Sequence, residues 1–263
     1  MARRRTEKIL IRRVGADGES AARPDEVIVE EPLSILLDGV LVTTTMRTPG
    51  HDFELAVGFC LTEGLLAGAP VRTCRYCGPA PAAATDFNVV SVDTGGLAPA
   101  PTPRLGLTSS SCGLCGSEAI ASLAARLAPL PAAPPWPPEA LLAVCEAARA
   151  GQELFDRTGA VHAAAAVSRA GEAVVIREDI GRHNAVDKVI GRLALDQRLP
   201  ARGLALYVSG RASFELVQKA WAGGFEALVA VSAPSALAVA TARAAGLALA
   251  GFVRRGALNL YAP

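Results

Sequence analysis

Residues 204–213, with the sequence LALYVSGRAS, contain the pattern that decides the fold: five apolar residues followed by a short polar loop. A short apolar run that ends at turn residues is typical of a buried strand, and residues 213–222 then have helical spacing. The same order returns at once, with strands predicted over 227–231 and 247–253 and a helix between them over 235–245. Strands that alternate with helices predict an α/β fold with a parallel or mixed sheet covered by helices on both faces.

The residues before this pattern extend the same sheet. A helix is predicted over 139–155, a hairpin of two strands over 161–167 and 173–177, and a second helix over 183–195. Helix, hairpin, helix and strand follow one another in this order in the zinc nucleoside deaminases. We therefore expect a cytidine-deaminase-like C-terminal domain over 139–263.

Deaminase chemistry is not expected from this domain. The deaminase metal signature requires His-x-Glu and Pro-Cys-x-x-Cys, and Ala164 stands two residues after His162. His162 itself lies in an apolar strand. It is either a satisfied core residue or a functional one, and the pattern alone leaves both interpretations open.

A smaller N-terminal α+β subdomain is predicted over 24–107. Residues 33–42 read as two strands joined by a tight turn at Asp38-Gly39, a typical hairpin dipeptide. A helix is predicted to follow from Asp52, its expected cap, to Gly64.

Two further segments complete the predicted organisation. Residues 1–23 are polar and basic and are expected to form a flexible basic tail, with at most a short strand at 9–11. Residues 108–138 contain a Cys-x-x-Cys loop, a helix and a proline-rich connector that cannot continue a helix. We expect this segment to link the two domains.

Charge and composition exclude several classes of partner. Lys and Arg total 26 against 25 Asp and Glu, a net charge of +1, so no overall field attracts nucleic acid or an anionic membrane. The sequence has no apolar run of about 18 residues, as a membrane span needs. We expect a cytoplasmic protein. Its six cysteines are too few for a disulfide scaffold, and Cys60 and Cys145 are expected to fill the core.

Three loops that follow predicted strands combine glycine, hydroxyl and arginine residues. In α/β sheets, ligands bind beyond the carboxyl ends of the strands, and helix N-termini favour anions. We expect these loops to hold an anionic ligand through residues of 178–188, 209–215 and 252–257. The candidate binding residues are Arg182, His183, Ser209, Arg211, Ser213, Phe252, Val253, Arg254, Arg255, Gly256 and Ala257.

Two cysteines form the most informative motif. Cys112 and Cys115 lie in the stretch SSSCGLCGSE, directly before a helix predicted from the apolar spacing of residues 119–127. Free amides and the helix dipole at such a position favour the thiolate, which is the nucleophilic form of cysteine. These two residues are the candidate catalytic thiols.

Several kinds of chemistry are open to this pair. A four-cysteine zinc site with Cys74 and Cys77 is one, although the 34 residues between Cys77 and Cys112 exceed the spacing of compact zinc ribbons. A thioredoxin-like dithiol is another, but residues 98–103 read as loop where that fold needs a strand. Sulfur transfer through a persulfide on an accessible loop is a third.

The motifs taken together resemble the formate dehydrogenase accessory sulfurtransferases, the FdhD family. The resemblance spans roughly residues 25 to 260 and is carried by residues 62–66, 112–116, 162–165, 178–191, 209–219 and 230–233. The chain departs from the family pattern in its extra Cys74 and in Ala257, where some relatives carry arginine.

The resemblance implies a function. It implies transfer of sulfur from a cysteine desulfurase to the molybdenum cofactor, in its bis(molybdopterin guanine dinucleotide) form, before formate dehydrogenase receives it. Cys112 would carry the persulfide, Cys115 would assist or resolve it, and residues 252–257 would bind the cofactor. No permanent metal is expected, and a homodimer would suit a cofactor with two guanine ends. The alternatives are a zinc-binding protein and a chaperone that only holds the cofactor.

Overall fold

A computed structural model describes residues 4–77, 87–101, 121, 125–254 and 256–263. It confirms the α/β class, with a six-stranded mixed sheet, a four-stranded sheet and a separate two-stranded sheet in the described residues. The likeness of the C-terminal domain to deaminases stays a prediction, as do the domain boundaries at 107, 138 and 139.

The main sheet consists of β7 (His162–Ser168), β8 (Ala173–Asp179), β9 (Leu204–Val208), β10 (Ala227–Ala230), β11 (Ala248–Arg254) and β12 (Ala257–Ala262). Their order in the sheet is β12-β11-β10-β9-β7-β8. Strands β9, β10 and β11 are parallel, whereas β7 is antiparallel to both β8 and β9, and β12 is antiparallel to β11. The carboxyl ends of the three parallel strands therefore share one edge with the start of β7.

Helices cover both faces of this sheet, as predicted. The helices of the described residues are α1 (Asp52–Thr62), α2 (Pro138–Arg149), α3 (Glu153–Thr158), α4 (Arg182–Leu195), α5 (Phe214–Gly223) and α6 (Ala236–Ala245). Successive strand residues point to opposite faces, so Tyr207 packs toward α2 while its neighbours Leu206 and Val208 pack toward α4, α5 and α6.

The four-stranded sheet forms the N-terminal subdomain together with α1. Its order is β4-β3-β6-β5, with β3 (Glu31–Leu37), β4 (Val40–Arg47), β5 (Thr73–Tyr76) and β6 (Val89–Asp93). The predicted hairpin is confirmed, because Asp38 and Gly39 join β3 to β4 with φ angles of 47° and 84°. Two positive φ angles at adjacent residues are what the tight hairpin turn requires.

The expectation of a flexible N-terminal tail is wrong. Residues Thr6–Val14 and Ser20–Ile28 form strands β1 and β2, which pair in an antiparallel hairpin over nine residue pairs. Backbone pairing holds this hairpin together while most of its side chains stay exposed. Because the hairpin buries no continuous apolar face, its sequence lacks the alternation that marks a half-buried strand.

Three smaller expectations also need correction. The helix predicted over 139–155 is two helices, broken at residues 150–152. Asp52 does not cap α1, because its carboxylate pairs with Arg47 and the cap position belongs to His51. A last strand, β12, was not predicted, since its edge position leaves half of its side chains exposed.

The two sheets are joined where α1 crosses α4. A Cβ atom on Gly58 would lie 1.9 Å from the carbonyl oxygen of Asp187, and one on Gly191 would lie 1.8 Å from that of Glu54. Contacts this short are impossible, so only glycine lets the two helix backbones approach. This crossing sets the position of α4, whose first turn reaches the candidate site.

Candidate functional site

The candidate site lies at the edge of the main sheet where β9, β10 and β11 end. The loops beyond these strands are joined by backbone hydrogen bonds: Ser232 donates to Gly210 at 3.2 Å, Ala212 donates to Ala233 at 3.2 Å, and Phe252 donates to Ser232 at 3.2 Å. Loops that are far apart in sequence therefore form one continuous rim.

A pocket of about 530 Å³ opens at this edge, between the sheet and helices α2 and α3. Its volume is within the range of small-molecule sites. Ser209, Val253 and Arg254, three of the candidate binding residues, line it together with His162. The lining residues that sequence reasoning missed include Cys145, Arg149, Gln152, Phe155 and Tyr207.

His162 faces Ser209 at the mouth of the pocket. The Ser209 hydroxyl oxygen accepts a hydrogen bond from the Ala163 amide at 2.9 Å and lies 3.4 Å from Nδ1 of His162. Burial lowers the pKa of His162, and the positive charges of Arg182 and His183 lower it further. The imidazole is therefore neutral near neutral pH and can accept or donate a hydrogen bond. This position favours the functional interpretation of His162.

A second group of candidates lies beside this pocket, where α4 and α5 begin. Nε2 of His183 is 2.7 Å from a carboxylate oxygen of Glu215, and this contact holds the pKa of Glu215 below its usual value. Nε of Arg182 and Oγ of Ser213 are shielded from solvent and have no hydrogen-bond partner among the described residues. Shielded donors of this kind are suited to an anion.

The acidic residues of the same segment have a structural role. Asp179 is fully buried and accepts hydrogen bonds from Lys188 at 2.6 Å and from the Thr48 amide at 3.1 Å. Asp187 is bonded to Lys219 and Thr62 inside the α1–α4 crossing. Asp187 and Lys188 are both interior residues, 2% and 0% exposed, and not part of a solvated helix face.

The segment 252–257 leaves β11 at the rim. Phe252 is 38% exposed and has a φ of 54°, a left-handed conformation that is unusual for an aromatic residue. Irregular pairing between Gly251 and Arg254 allows this bend. Arg254 is exposed and lines the pocket, while Gly256 and Ala257 turn the chain into β12. Arg211 is also exposed at this edge.

The two candidate catalytic thiols, Cys112 and Cys115, lie outside the described residues, as does Arg255. Their roles stay predictions, together with the binding roles of the other candidate residues. Within the described ranges, no group of three or more His, Cys, Asp or Glu side chains is arranged to hold a metal ion.

The geometry of β5 counts against a zinc site that uses both Cys74 and Cys77. The ladder continues from Tyr76 to the Cys77 amide, which donates to the Val89 carbonyl at 3.0 Å. Residues three apart on a strand point to opposite faces and have Cα atoms about 10 Å apart. One metal ion cannot reach both sulfur atoms in this conformation. Burial also raises the pKa of Cys74 to about 12.

The two remaining cysteines differ. Cys60 is fully buried in the core of the N-terminal subdomain, where burial raises its pKa to about 12, so the prediction of a core residue is confirmed. Cys145 is only partly buried and lines the pocket, with its thiol 3.5 Å from the Val253 carbonyl oxygen. The prediction of a core residue is therefore only partly confirmed for Cys145, which packs against the core and also lines the pocket.

Fold and site together define a mixed α/β protein with a ligand-sized pocket at the carboxyl edge of its main sheet. None of the helices in the described ranges has the length and apolar character to cross a bilayer. The family model for the FdhD/NarQ family matches residues 28–263. The chain therefore belongs to this family, as its motifs suggested.

Individual relatives agree with this assignment. A protein of Mycolicibacterium paratuberculosis named sulfur carrier protein FdhD is 47% identical over 251 residues, which cover 93% of this chain and 92% of the relative. Another of that name, from Corynebacterium efficiens, is 47% identical over 253 residues, covering 91% and 90%. The crystal structure of a proposed formate dehydrogenase accessory protein from Desulfotalea psychrophila has the same fold, with a TM-score of 0.80, 23% identity and coverage of 99% and 98%.

Proposed function

We propose that this protein is a sulfur carrier that supports formate dehydrogenase. It accepts sulfur from a cysteine desulfurase as a persulfide on Cys112 and transfers the sulfur to the molybdenum cofactor, its second substrate, in the cytoplasm. Relatives named sulfur carrier protein at 47% identity support the carrier role. The continuous rim of loops beside the pocket is the observation that supports the molybdenum cofactor as the second substrate.

The cofactor fits the chemistry of this rim. In its bis(molybdopterin guanine dinucleotide) form it carries two diphosphates and several flat heterocycles. Arg182, Arg211 and Arg254 supply positive charge, and Ser213 and Ser209 supply hydroxyl groups at helix N-termini or strand ends. The pocket between the sheet and α2 supplies apolar walls for a ring. A pair of chains would suit the two guanine ends of one cofactor.

Each thiol of the motif has one step in the proposed sulfur transfer. The Cys112 thiolate attacks the outer sulfur of the donor's persulfide, whose S–S bond breaks and releases the donor thiolate. Once the cofactor is bound, the Cys115 thiolate attacks the inner sulfur of the Cys112 persulfide, and a Cys112–Cys115 disulfide forms. The terminal sulfur leaves as sulfide with the electron pair and replaces an oxygen ligand of molybdenum, which takes up two protons and leaves as water. A cellular dithiol then reduces the disulfide and restores both thiols.

Activation of formate dehydrogenase tests the proposal. The enzyme is produced in a host that lacks its own version of this protein, and the chain is supplied as wild type, as Cys112→Ala or as the control Cys77→Ala. We expect activation by the wild type and by Cys77→Ala but not by Cys112→Ala. Full activation by Cys112→Ala would support the alternative that the protein only holds the cofactor.

A further inference from the structure

The floor of the pocket consists of two polar side chains that the sequence patterns did not single out. Nε2 of Gln152 donates a hydrogen bond to the hydroxyl oxygen of Tyr207 at 3.2 Å. Gln152 is 4% exposed and Tyr207 is 2% exposed, and both line the pocket. Two buried polar groups in a pocket with mainly apolar walls are placed to orient a ligand.

The amide of Gln152 is available because another residue caps the adjacent helix. Gln152 stands directly before α3, yet its side chain makes no capping bond. The amides of Leu154 and Phe155 donate instead to the carboxylate of Glu178, each at 2.8 Å. Glu178 thus satisfies the helix N-terminus and leaves Gln152 free to turn toward Tyr207.

The hydrogen bond between the two side chains determines which of them can donate and which can accept a hydrogen bond from a ligand. Since the Tyr207 oxygen accepts from Gln152, its own proton points elsewhere, and burial raises the pKa of Tyr207 so that this proton is retained. The carbonyl oxygen of Gln152 accepts no hydrogen bond within the part of the chain that the structure describes. The floor therefore offers one donor and one acceptor side by side.

The walls of the pocket fit a flat ring. Phe155, Val161 and Val253 line its sides, and Ala163 and Ala165 on the neighbouring strand β7 leave space on the same face of the sheet as Tyr207. Arg254 and Ser209 lie at the mouth, where a phosphate attached to such a ring would emerge. Aromatic and aliphatic walls hold a heterocycle by contact but do not distinguish one from another.

We propose that Gln152 and Tyr207 are specificity residues that select a heterocycle with a carbonyl oxygen next to a ring N–H. Guanine and the pterin of molybdopterin share this edge. The Tyr207 hydroxyl donates to the carbonyl oxygen, and the Gln152 oxygen accepts from the ring N–H. Adenine presents an amino donor next to a ring acceptor, so that donor would face donor and acceptor would face acceptor.

This inference rests on the proposed function for the nature of the ligand, but its test requires no sulfur transfer. Calorimetry measures the binding of guanosine diphosphate, adenosine diphosphate and 2-amino-4-oxopteridine to the full chain. The proteins are the wild type, Tyr207→Phe, Gln152→Met and the control Arg254→Ala. Tyr207→Phe removes one oxygen atom, Gln152→Met preserves the length of the side chain, and circular dichroism checks that each variant is folded.

We expect the wild type to prefer guanosine diphosphate over adenosine diphosphate by about 10-fold or more. Tyr207→Phe and Gln152→Met should each reduce this preference to about 2-fold or less, whereas Arg254→Ala should weaken both nucleotides equally. If the wild type binds the pteridine but neither nucleotide, and Tyr207→Phe loses this binding, the pocket would be assigned to the pterin. The two residues would then still be the ones that recognise the carbonyl oxygen and the ring N–H.

Three results would overturn the inference: equal affinity of the wild type for the two nucleotides, a preference that survives in both floor variants, or no binding of guanosine diphosphate or the pteridine. The Cys112→Ala protein separates this inference from the proposed function. It should retain the nucleotide preference even though it cannot carry sulfur.

Discussion

The segment 178–188 supplies two regions of the molecule that treat charge in opposite ways. At the α1–α4 crossing, Asp179 and Lys188 are buried and paired with each other at 2.6 Å. Beside the pocket, only a few residues away, Arg182 has a shielded donor without a partner among the described residues. The comparison shows that polar density alone does not mark a binding site. The distinguishing feature is whether the polar groups are already satisfied.

The largest effect is expected from a single methyl group in the crossing. Gly58→Ala would place a Cβ atom 1.9 Å from the Asp187 carbonyl oxygen, so the helices must separate or the chain must fail to fold. We expect a loss of about 3 kcal/mol or more in the free energy of unfolding, measured by urea denaturation.

Gly210→Ala is the matched control at the rim. Its Cβ atom would meet His162 at 3.5 Å, which is an ordinary contact, and its φ is not positive. This variant should unfold at nearly the wild-type urea concentration. Equal losses in the two variants would contradict the view that the crossing, and not the rim, depends on close backbone contact.

The next largest effect distinguishes the paired charges of the crossing from the unpaired donor beside the pocket. Lys188→Met leaves the Asp179 carboxylate buried without its charged partner, although the Thr48 and Gly181 amides still donate to it. The loss in the free energy of unfolding should be about 3 kcal/mol. Arg182→Met should cost less than about 1 kcal/mol, because Nε of Arg182 has no described partner to lose.

Binding should show the reverse order. Arg182→Met should weaken the affinity for inorganic pyrophosphate, measured by calorimetry, because it removes a charge from the proposed anion site. A variant Arg182→Met that binds pyrophosphate as tightly as the wild type would remove Arg182 from the site.

Acid should destabilise the helix crossing because it protonates the Glu54 carboxylate. Burial alone would raise the pKa of Glu54, but hydrogen bonds from Arg177 and His51 outweigh it and lower the pKa to about 2. A carboxylate with a depressed pKa stabilises the fold above its unfolded value near pH 4.5, and this contribution is lost as the pH falls toward 2.

Unfolding measured between pH 6 and pH 2 tests this dependence. Glu54→Gln should be less stable than the wild type by about 2 kcal/mol at pH 6, and the difference should shrink as the pH falls. A constant difference across this range would show that the ionised carboxylate is not the stabilising form.

The smallest effect is expected at the exposed N-terminal hairpin. Arg157 pairs with Glu26 of β2 and with Thr6 of β1, and its side chain is half exposed. Solvent screens such pairs, so Arg157→Ala should leave the melting temperature unchanged within error. A clear drop in melting temperature would show that the hairpin contributes to the global fold.

Much of the main sheet was predictable because its signals are local. The strand Leu204–Val208 is apolar throughout and ends at Ser-Gly, and the helix after it begins behind Ser213, a typical cap residue. The hairpin β1–β2 and the edge strand β12 were missed, since neither has the alternation of buried and exposed positions on which strand prediction depends.

The site was only partly predictable. Ser209 follows β9 and Arg254 is the last residue of β11, and both positions point to the carboxyl edge. The signal for Gln152 and Tyr207 was weaker. Gln152 is a glutamine before a helix and Tyr207 is a single tyrosine within an apolar strand, and only the tertiary fold brings them together. The burial of Asp187 and Lys188 could not be read from the sequence, because a paired interior charge and a solvated one have the same local pattern.

The central claim is that Cys112 carries sulfur, and mass spectrometry tests it most directly. The purified protein is incubated with a cysteine desulfurase and cysteine, then digested without reductant. We predict a gain of about 32 Da, the mass of one sulfur atom, on the peptide that contains Cys112, and no gain at Cys60 or Cys77. An unmodified Cys112, or the same gain on every accessible cysteine, would contradict the account.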